Sequence, residues 1–468
     1  MMLKRGFKPL VNVSKRYINT SQSYKTASST PASLSSLSQT SQSENTIIPN
    51  KQTLTPQSTY LDSLSNKMLF SYASIGLCTL NKPILNMVIK LFPLIPTKVL
   101  DFFIGKIYVG GSTPAQVIKT GEALSSRGIN NMMLSLTIED SEGTKNIDIN
   151  YIVKETIASI ENILKPQILR VIAQQDNINE VPPGYIVIKP SALVANPAQV
   201  LLNYQNEDPN WVKQFDQLVS NCEKVTEEVV RLNQELSKQF PSRASPFFVT
   251  VIDAEKYDLQ HGVYELQRRL FSKFNKPNGF VNVVGTIQMY LKHSFQQIKL
   301  EEKLAKAGNY RVGLKLVRGA YIHSESDRSV IHDTKADTDT SYDLGIQYVL
   351  QDLEKFKESA TLGHLVVASH NAKSSKLACD ILSNSKDDTV KSNVVLGQLL
   401  GMCDDVTFDL IQNHKVKNII KYVPWGPPVE TKDYLLRRLQ ENGDAVRSDN
   451  GWPLVKNVLS IYKKRIFG

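Results

Sequence analysis

Eight short apolar segments, separated by longer segments with helical periodicity, constrain the fold of this chain more than any other feature. They are rich in β-branched residues and end in polar residues or glycine, which is typical of parallel strands buried on both faces. Alternating strands and helices predict a parallel α/β fold. Eight units fit a (β/α)8 barrel, with a doubly wound open sheet as the main alternative. The predicted strands are Met132–Thr137, Tyr185–Lys189, Phe247–Asp253, Phe280–Gln288, Val312–Arg318, Leu365–Ser369, Val394–Leu399 and Asn418–Tyr422.

The predicted barrel occupies residues 131–468, and the chain before it changes character twice. Residues 60–130 include the apolar stretch Met68–Ile104, which lysines and prolines interrupt, so we expect packed or interfacial helices there. No stretch reaches the ~18 consecutive apolar residues of a spanning helix. Residues 44–59 are rich in Ser and Thr, which predicts a disordered linker. Within the barrel, Asn203–Lys238 has the composition of a polar helical insertion without an assignable role.

The positive charge of the chain is concentrated at its N-terminus. The whole chain has 55 basic and 45 acidic residues, but the first 43 residues contain six basic residues and no acid. Residues 44–468 therefore carry 49 basic and 45 acidic residues, a net charge of +4. This placement argues against a nucleic-acid-binding domain, which needs a basic face on the fold. A basic, hydroxyl-rich, amphipathic start predicts a mitochondrial presequence in residues 1–43, and a basic disordered tail is the alternative.

Several classes of site are disfavoured because their motifs are missing from the sequence. There is no glycine-rich dinucleotide fingerprint after a strand and no phosphate-binding loop ending in Gly-Lys-Ser or Gly-Lys-Thr. No nucleophile elbow of the hydrolase type occurs. The four cysteines form no closely spaced pair and no cluster with histidine, so we predict neither a disulfide framework nor a metal site.

Polar side chains follow nearly every predicted strand at its C-terminal end, where the chemistry of a (β/α)8 barrel is found. The set is rich in Lys, Arg, Gln, His and Tyr and has few acids, which suits an anionic ligand and in particular a phosphate-bearing cofactor. A lone polar residue at the end of an apolar strand is costly to bury without a partner, so a shared binding mouth is favoured. The strand-end residues include Lys189, Asp253, Gln288, Arg318, His370, Asn371 and Tyr422.

The strongest local feature is the segment Tyr434–Gly443, whose pattern predicts a short helix that ends at Gly443. Arg437 and Arg438 are both within ion-pair reach of Glu441 on such a helix. The common interpretation of this pattern is a solvated, ion-paired face. The alternative is a carboxylate clamp, because guanidinium groups bind carboxylates in a bidentate manner.

Six motifs occur in order along the chain, and they are Asp253-Ala254-Glu255, Gln288-Met289-Tyr290, Lys315–Tyr321 with Glu325, Ala368-Ser369-His370-Asn371, Tyr422–Gly426 and Tyr434–Asn442. Between Leu134 and Asn442 the chain thereby resembles the proline dehydrogenase family, and specifically its mitochondrial, single-function branch. The resemblance covers neither the first ~60 residues nor the segment around Asn203–Lys238. One departure is Ile322, where bacterial members usually carry Trp.

The resemblance implies a distorted (β/α)8 barrel with an N-terminal helical segment and a C-terminal helix over the barrel mouth. It implies FAD, bound noncovalently and without a Rossmann domain. The implied reaction is oxidation of L-proline to Δ1-pyrroline-5-carboxylate, the first step of proline catabolism, by hydride transfer from C5 of proline to N5 of the flavin. Electrons would pass to ubiquinone, and the protein would associate peripherally with the matrix side of the inner mitochondrial membrane.

The resemblance also implies roles for individual residues. Arg437 and Arg438 would bind the proline carboxylate. Asp253 would act as an orienting acceptor more readily than as a proton-transfer base. The walls of the proline ring would come from Tyr422, Leu316 and Tyr321, with Lys189 and Asp253 close by, and the expected FAD contacts are Gln288, Lys315, Arg318, Gly319, His370 and Asn371, with Glu441 bracing the arginine helix.

Two of these residues have alternative roles that the sequence also allows. Tyr422 could be a core residue, and Lys189 could pair with an acid on a neighbouring strand. For the whole chain, the alternatives are a related FAD barrel, such as a hydroxyproline dehydrogenase or a folate-reductase-like enzyme, and a mitochondrial barrel retained as a non-catalytic binding or assembly protein. The ring-wall tyrosine of the resemblance, Tyr422, favours unsubstituted proline.

Overall fold

A computed structural model describes residues 60–138, 148–446 and 451–467, and for residues 441–446 it describes the backbone alone. The predicted presequence, 1–43, and the predicted linker, 44–59, lie outside the described residues. So do Glu139 and Asp140, which follow the first strand. The described residues all belong to one unit, 54–468.

Eight parallel strands close into a barrel in which each strand pairs with its neighbours in chain order and β8 pairs with β1. This confirms the barrel and excludes the open sheet. The strands are almost entirely buried, as expected when helices cover the outer face. They are β1 Asn131–Leu136, β2 Gly184–Ile188, β3 Phe248–Ile252, β4 Val283–Gln288, β5 Val312–Val317, β6 Leu362–Ala368, β7 Val394–Leu399 and β8 Ile419–Trp425.

Alternate residues of seven strands, all except β5, form a separate apolar core inside the barrel. Val249, Val284, Val366 and Val395 fill its middle. At the N-terminal end of the barrel, Tyr185 Oη lies 2.8 Å from His364 Nε2, and His364 Nδ1 lies 3.1 Å from Asn393 Oδ1. The interior is thus packed in its lower part, which leaves the C-terminal end for a cavity.

The outer layer consists of helices that follow the strands and pack their apolar faces on the barrel. A π-helical turn, Ile160–Leu164, joins the two helices after β1. The α-helices of this layer, together with the helix α5 that precedes β1, are α5 Pro114–Ser125, α6 Ile149–Ser159, α7 Lys165–Ile172, α8 Pro197–Leu202, α9 Pro209–Gln239, α10 Tyr257–Phe274, α11 Ser294–Gly308, α12 Lys335–Phe356, α13 Ala372–Asn384, α14 Asp388–Ser392 and α15 Asp404–Gln412.

Helix α9 corrects the prediction of an insertion at Asn203–Lys238. Its apolar stripe, which includes Phe215 and Val229, is buried against the barrel, so it belongs to the outer layer. Asn233 on the same face provides a hydrogen-bond acceptor for the backbone at the start of β3. Its Oδ1 accepts from the N–H groups of Phe247 and Phe248, both at 2.9 Å. The segment looks like an insertion only because its solvent-facing side is strongly polar.

The remaining helices lie before and after the barrel, and they pack together. A π-helical turn, Asp101–Gly105, interrupts the N-terminal group. Among the described residues, no single helix is long and apolar enough to cross a membrane; the pair Asn66–Cys78 and Lys82–Leu94 meets that length and composition test only together, with a bend of 105°. These helices are α1 Asn66–Cys78, α2 Lys82–Leu91, α3 Thr97–Leu100, α4 Lys106–Tyr108, α16 Pro428–Val446 and α17 Gly451–Phe467.

Helix α16 lies between the N-terminal helices and the barrel mouth. Its Leu435 and Leu439 are buried with Ile75 and Leu100 in one apolar cluster. Lys432 Nζ donates to the carbonyl of Pro93 at 2.7 Å and to that of Ile95 at 2.9 Å. The predicted end at Gly443 is wrong, because the helix begins at Pro428 and continues to Val446.

Candidate active site

A cavity of about 860 Å³ opens at the C-terminal end of the barrel. All eight strands or the residues that directly follow them contribute to its lining, and α16 covers one side. Its volume lies in the usual range for small-molecule and cofactor sites, roughly 300–1,000 Å³. The lining includes Met133, Lys189, Asp253, Thr286, Lys315, Val317, Ala368, Gly397, Leu399, Tyr422, Tyr434, Arg437 and Arg438.

Three strand-end residues form a hydrogen-bonded group on the cavity floor. Lys315, whose side chain is 6% exposed, makes an ion pair with Oδ1 of Asp253. Tyr422 Oη donates to Asp253 Oδ2 at 3.0 Å and lies 2.8 Å from Ser135 Oγ. Burial, reinforced by the charge of Asp253, raises the pKa of Tyr422 well above its usual value, so Tyr422 remains a neutral hydroxyl. Both oxygens of Asp253 are therefore engaged by groups of the protein.

Helix α16 carries both arginines of the predicted pair, and both line the cavity, but they are buried to different extents. Arg438 is buried, with its guanidinium 4.9 Å above the centre of the Tyr434 ring and its Nη1 3.9 Å from Met402 Sδ. Arg437 lines the same cavity from a more exposed position. A buried guanidinium stacked on an aromatic ring is held in a fixed orientation, which suits recognition of a planar carboxylate.

A second cationic group lies at the mouth where β5 and β6 end. Arg318 pairs with Asp339 and donates to Ser369 Oγ at 3.1 Å and to Ser374 Oγ at 2.7 Å. Its guanidinium lies 4.8 Å from the centre of the Tyr342 ring. The lining adds two further cations, Lys335 and Lys373. Three cations and one acid at one side of a cavity favour an anionic group such as a phosphate.

His370 and Asn371 connect β6 to α13 at the same side. The backbone N–H of Leu399 donates to His370 Nε2 at 3.2 Å, so Nε2 is an acceptor and the neutral ring carries its proton on Nδ1. Burial lowers the pKa of His370 to about 4, with further lowering by the charges of Lys421 and Arg438. Asn371 caps α13, since its Oδ1 accepts from the backbone N–H of Lys373 at 2.9 Å.

Gly319, Tyr321 and Lys189 also line the cavity. Tyr321 Oη donates to the Ala254 carbonyl at 3.3 Å. A Cβ at Gly319 would lie 2.9 Å from Cδ1 of Tyr290, a residue outside the cavity lining, and the predicted FAD contact of Gly319 stays a prediction. Packing against Tyr290 thus accounts for glycine at this position.

The structure does not place two of the predicted residues on the cavity wall. Leu316 lies between Lys315 and Val317, which point inward, so its own side chain points outward and packs near Gly345 of α12. The prediction that Leu316 walls the substrate ring is therefore wrong. Gln288 is fully buried below the lining, where its Nε2 donates to the Glu255 carbonyl at 2.8 Å.

The side chain of Glu441 lies outside the described residues, so its predicted bracing role stays a prediction. Among the residues that the structure describes, no group of three or more His, Cys, Asp or Glu side chains is arranged to hold a metal ion.

Sequence reasoning missed several residues of the cavity. The sequence predicts Tyr434 only as a residue of the arginine helix, whereas in the structure its ring lies against the guanidinium of Arg438. Ser369 and Asp339 hold Arg318. Ser369 lies inside a motif that was recognised, so its position was available, whereas Asp339 on α12 carries no local signal in the sequence.

Comparisons with known proteins agree with this architecture. The family model described as proline dehydrogenase matches residues 117–450. A probable mitochondrial proline dehydrogenase of Schizosaccharomyces pombe is 30% identical over 379 residues, which cover 73% of this chain and 75% of the relative. The mitochondrial proline dehydrogenase 1 of Dictyostelium discoideum is 27% identical over 461 residues, covering 89% of this chain and 76% of the relative.

Among solved structures, proline utilization A from Bdellovibrio bacteriovorus superposes with a TM-score of 0.54 at 15% identity. The alignment covers 86% of this chain and 40% of the larger protein, so the chain spans less than half the length of that relative. This likeness confirms the (β/α)8 fold. The family match covers well over half of the chain, and the S. pombe relative is 30% identical with 75% of its length covered. The chain therefore belongs to the proline dehydrogenase family.

Proposed function

We propose that this protein oxidises L-proline to Δ1-pyrroline-5-carboxylate with noncovalently bound FAD. The observation that carries the proposal is the pairing, in one cavity, of a buried guanidinium with a partly buried hydroxyl–carboxylate–ammonium group. Arg438 lies on α16 above the cavity, and Tyr422, Asp253 and Lys315 lie on its floor. A small amino acid with one carboxylate fits between such groups.

The residues present fit a flavin dinucleotide. The cavity volume of about 860 Å³ is at the upper end of the range for cofactor sites. Arg318, Lys335 and Lys373 supply positive charge at one side of the mouth, where the two phosphates would be held. His370 adds a neutral N–H donor, and Lys315 adds a cation on the floor. When bound, FAD supplies the hydride acceptor, and the redox chemistry is its own.

The work of the protein is then to bind, orient and shield the substrate. Arg438, supported by Arg437, would hold the carboxylate through charge-assisted hydrogen bonds. Tyr422 would form one wall of the ring site, fixed by its hydrogen bond to Asp253. Asp253 acts as an orienting acceptor, since Lys315 and Tyr422 occupy its two oxygens. Helix α16 covers the mouth and limits the access of water, which strengthens these electrostatic contacts.

We further propose that the protein works in mitochondria, on the matrix side of the inner membrane, and passes electrons to ubiquinone. The relatives from S. pombe and D. discoideum are named mitochondrial. The basic, acid-free composition of residues 1–43 supports import. A membrane-dissolved acceptor also agrees with the apolar surface of the N-terminal helices.

The test is steady-state oxidation with an artificial electron acceptor, in which L-proline, hydroxyproline and a reduced folate are compared as substrates. We expect kcat/KM to be highest for L-proline. A preference for hydroxyproline or the folate would redirect the proposal to a related barrel. A purified protein with bound flavin that oxidises none of the three, or one without flavin, would contradict it.

A further inference from the structure

A second cavity, of about 330 Å³, lies on the opposite face of α16 from the active site. Leu435 and Leu439 close it on the side of α16, and the N-terminal helices α1 to α4 with their connecting turns form the rest. Nearly every lining residue is apolar, so water inside it would find few hydrogen-bond partners. The lining includes Ile75, Leu77, Cys78, Val88, Phe92, Ile95, Val99, Leu100, Phe103 and Ile104.

The mouth of this cavity is surrounded by exposed apolar side chains. Of the 19 large hydrophobic residues that are exposed in the described part of the chain, eight lie between Phe70 and Phe103. Leu77, Val99 and Phe103 belong both to this exposed set and to the cavity lining. The rings of Phe70 and Phe103 are 5.9 Å apart between centroids, and those of Phe102 and Phe103 are 5.2 Å apart. Patch and cavity are therefore one continuous apolar feature.

The same segment is strongly basic. Residues 66–106 contain five lysines and one acid, Asp101, and all six are exposed. The ammonium groups of Lys67 and Lys106 are close enough that Lys67 lowers the pKa of Lys106. Two adjacent cations favour an anion between them. An apolar face bordered by lysines is the pattern of helices that lie in the surface of a bilayer rather than across it.

We propose that residues 66–106 seat the protein on an anionic phospholipid bilayer, and that the 330 Å³ cavity accepts one hydrocarbon chain of such a lipid. The proposal rests on the membrane association proposed above and adds the surface and the lipid chemistry. Charge complementarity selects the bilayer over a second copy of this chain, because two copies would bring the lysines of their patches together.

The position of the cavity links the bilayer to the active site. A chain bound there would pack on Leu435 and Leu439, whereas Tyr434 and Arg438 face the catalytic cavity from the same helix. The side chain of Lys432 ties this helix to the turn at Pro93 and Ile95. Seating on a membrane would thus stabilise the helix that covers the barrel mouth.

The first experiment locates the bilayer contact with tryptophan as a reporter. The native tryptophans, Trp211, Trp425 and Trp452, all lie outside residues 66–106. Full-length holoenzyme with Phe103→Trp is mixed with vesicles of phosphatidylcholine and phosphatidylglycerol whose acyl chains are brominated. We expect the bromine atoms to quench the fluorescence of the new tryptophan. In the control Phe356→Trp, whose ring on α12 is similarly exposed, we expect no more quenching than in the wild type. Equal quenching in both variants would overturn the proposal.

The second experiment removes the patch without touching the barrel. Leu94→Ser combined with Phe102→Ser changes two exposed residues, and Leu344→Ser combined with Phe356→Ser is the control with the same chemical change on α12. We expect the first pair to weaken sedimentation with anionic vesicles at least about tenfold, a factor worth about 1.4 kcal/mol. The control should bind like wild type. If instead the first pair only converts a dimer to a monomer, the patch is a protein interface and the proposal fails.

The third measurement tests occupancy of the cavity by a chain. Cys78 lines it, whereas the other partly exposed cysteine, Cys403, lies elsewhere. A monomeric lysophosphatidylglycerol should slow alkylation of Cys78 at least tenfold and leave Cys403 unchanged. Unchanged alkylation of Cys78 would overturn the acyl-chain site. Proline oxidation with a water-soluble acceptor, measured without lipid, tests the proposed reaction separately from all three results.

Discussion

Replacement of each arginine on α16 by methionine separates a carboxylate clamp from a solvated helix face. Arg438 is 9% exposed and stacked on Tyr434, whereas Arg437 is exposed to solvent. A charge-assisted hydrogen bond contributes roughly 1.5–3 kcal/mol. Its loss corresponds to roughly 10- to 150-fold in kcat/KM for proline. We expect Arg438→Met to lie within this range and Arg437→Met to lose less than about tenfold, because solvent screens its charge.

The assay is steady-state proline oxidation with an artificial acceptor, together with the flavin content of each variant. The loss should appear in KM if the carboxylate contact is the same in the ground and transition states, and in kcat as well if the clamp aligns C5. Arg269→Met on α10, far from the mouth, is the matched control and should leave both constants unchanged. Wild-type kinetics in both α16 variants would remove the arginines from the substrate site. Loss of flavin along with activity would assign them to the cofactor.

Three further results are expected. Tyr422→Phe loses the hydrogen bond to Asp253, so kcat/KM for proline should fall at least about tenfold; unchanged kinetics would make Tyr422 a packing residue. Gly319→Ala places a Cβ 2.9 Å from the Tyr290 ring, which should cost about 1–3 kcal/mol in chemical unfolding, and an unaltered free energy of unfolding would refute the close contact. Burial lowers the pKa of His364 from 6.5 to about 4, so protonation of this ring disfavours the folded state below pH 6.5. The His364 contribution to the free energy of unfolding should fall by up to roughly 3 kcal/mol as the pH drops from 6.5 toward 4, so the decline measured for His364→Gln should be shallower than that of the wild type.

The fold follows from the sequence because every strand is apolar on both faces. All eight predicted strands exist, with ends that differ by a few residues. Strand β6 begins three residues earlier than predicted, and β8 continues three residues further, through Pro424 to Trp425. Proline lacks a backbone donor and suggests a strand end, yet here its carbonyl accepts from the N–H of Gly110 at 2.8 Å. The strand ends at Trp425 because its pairing with β1 continues through Leu136 and Trp425, and a local sequence pattern does not contain that pairing.

Side-chain direction explains what was predictable within the cavity and what was not. Period-two alternation puts Leu316 on the opposite face of β5 from Lys315 and Val317, so Lys315 and Leu316 cannot both point into the cavity. On α16, adjacent residues point in directions about 100° apart, and only tertiary packing decides that Arg438 is the more buried of the pair. The prediction that the helix ends at Gly443 is wrong for a related reason, because whether a glycine ends a helix depends on the packing around it.

The most direct test of the proposed reaction is the absorption spectrum of the purified full-length protein before and after anaerobic addition of L-proline. We expect a flavin band that is released into the supernatant on acid precipitation, because binding is noncovalent. That band should bleach on addition of L-proline, and far less with Arg438→Met at the same proline concentration. A protein without flavin, flavin that stays on the precipitated polypeptide, or a bound flavin that L-proline fails to reduce would contradict the proposal.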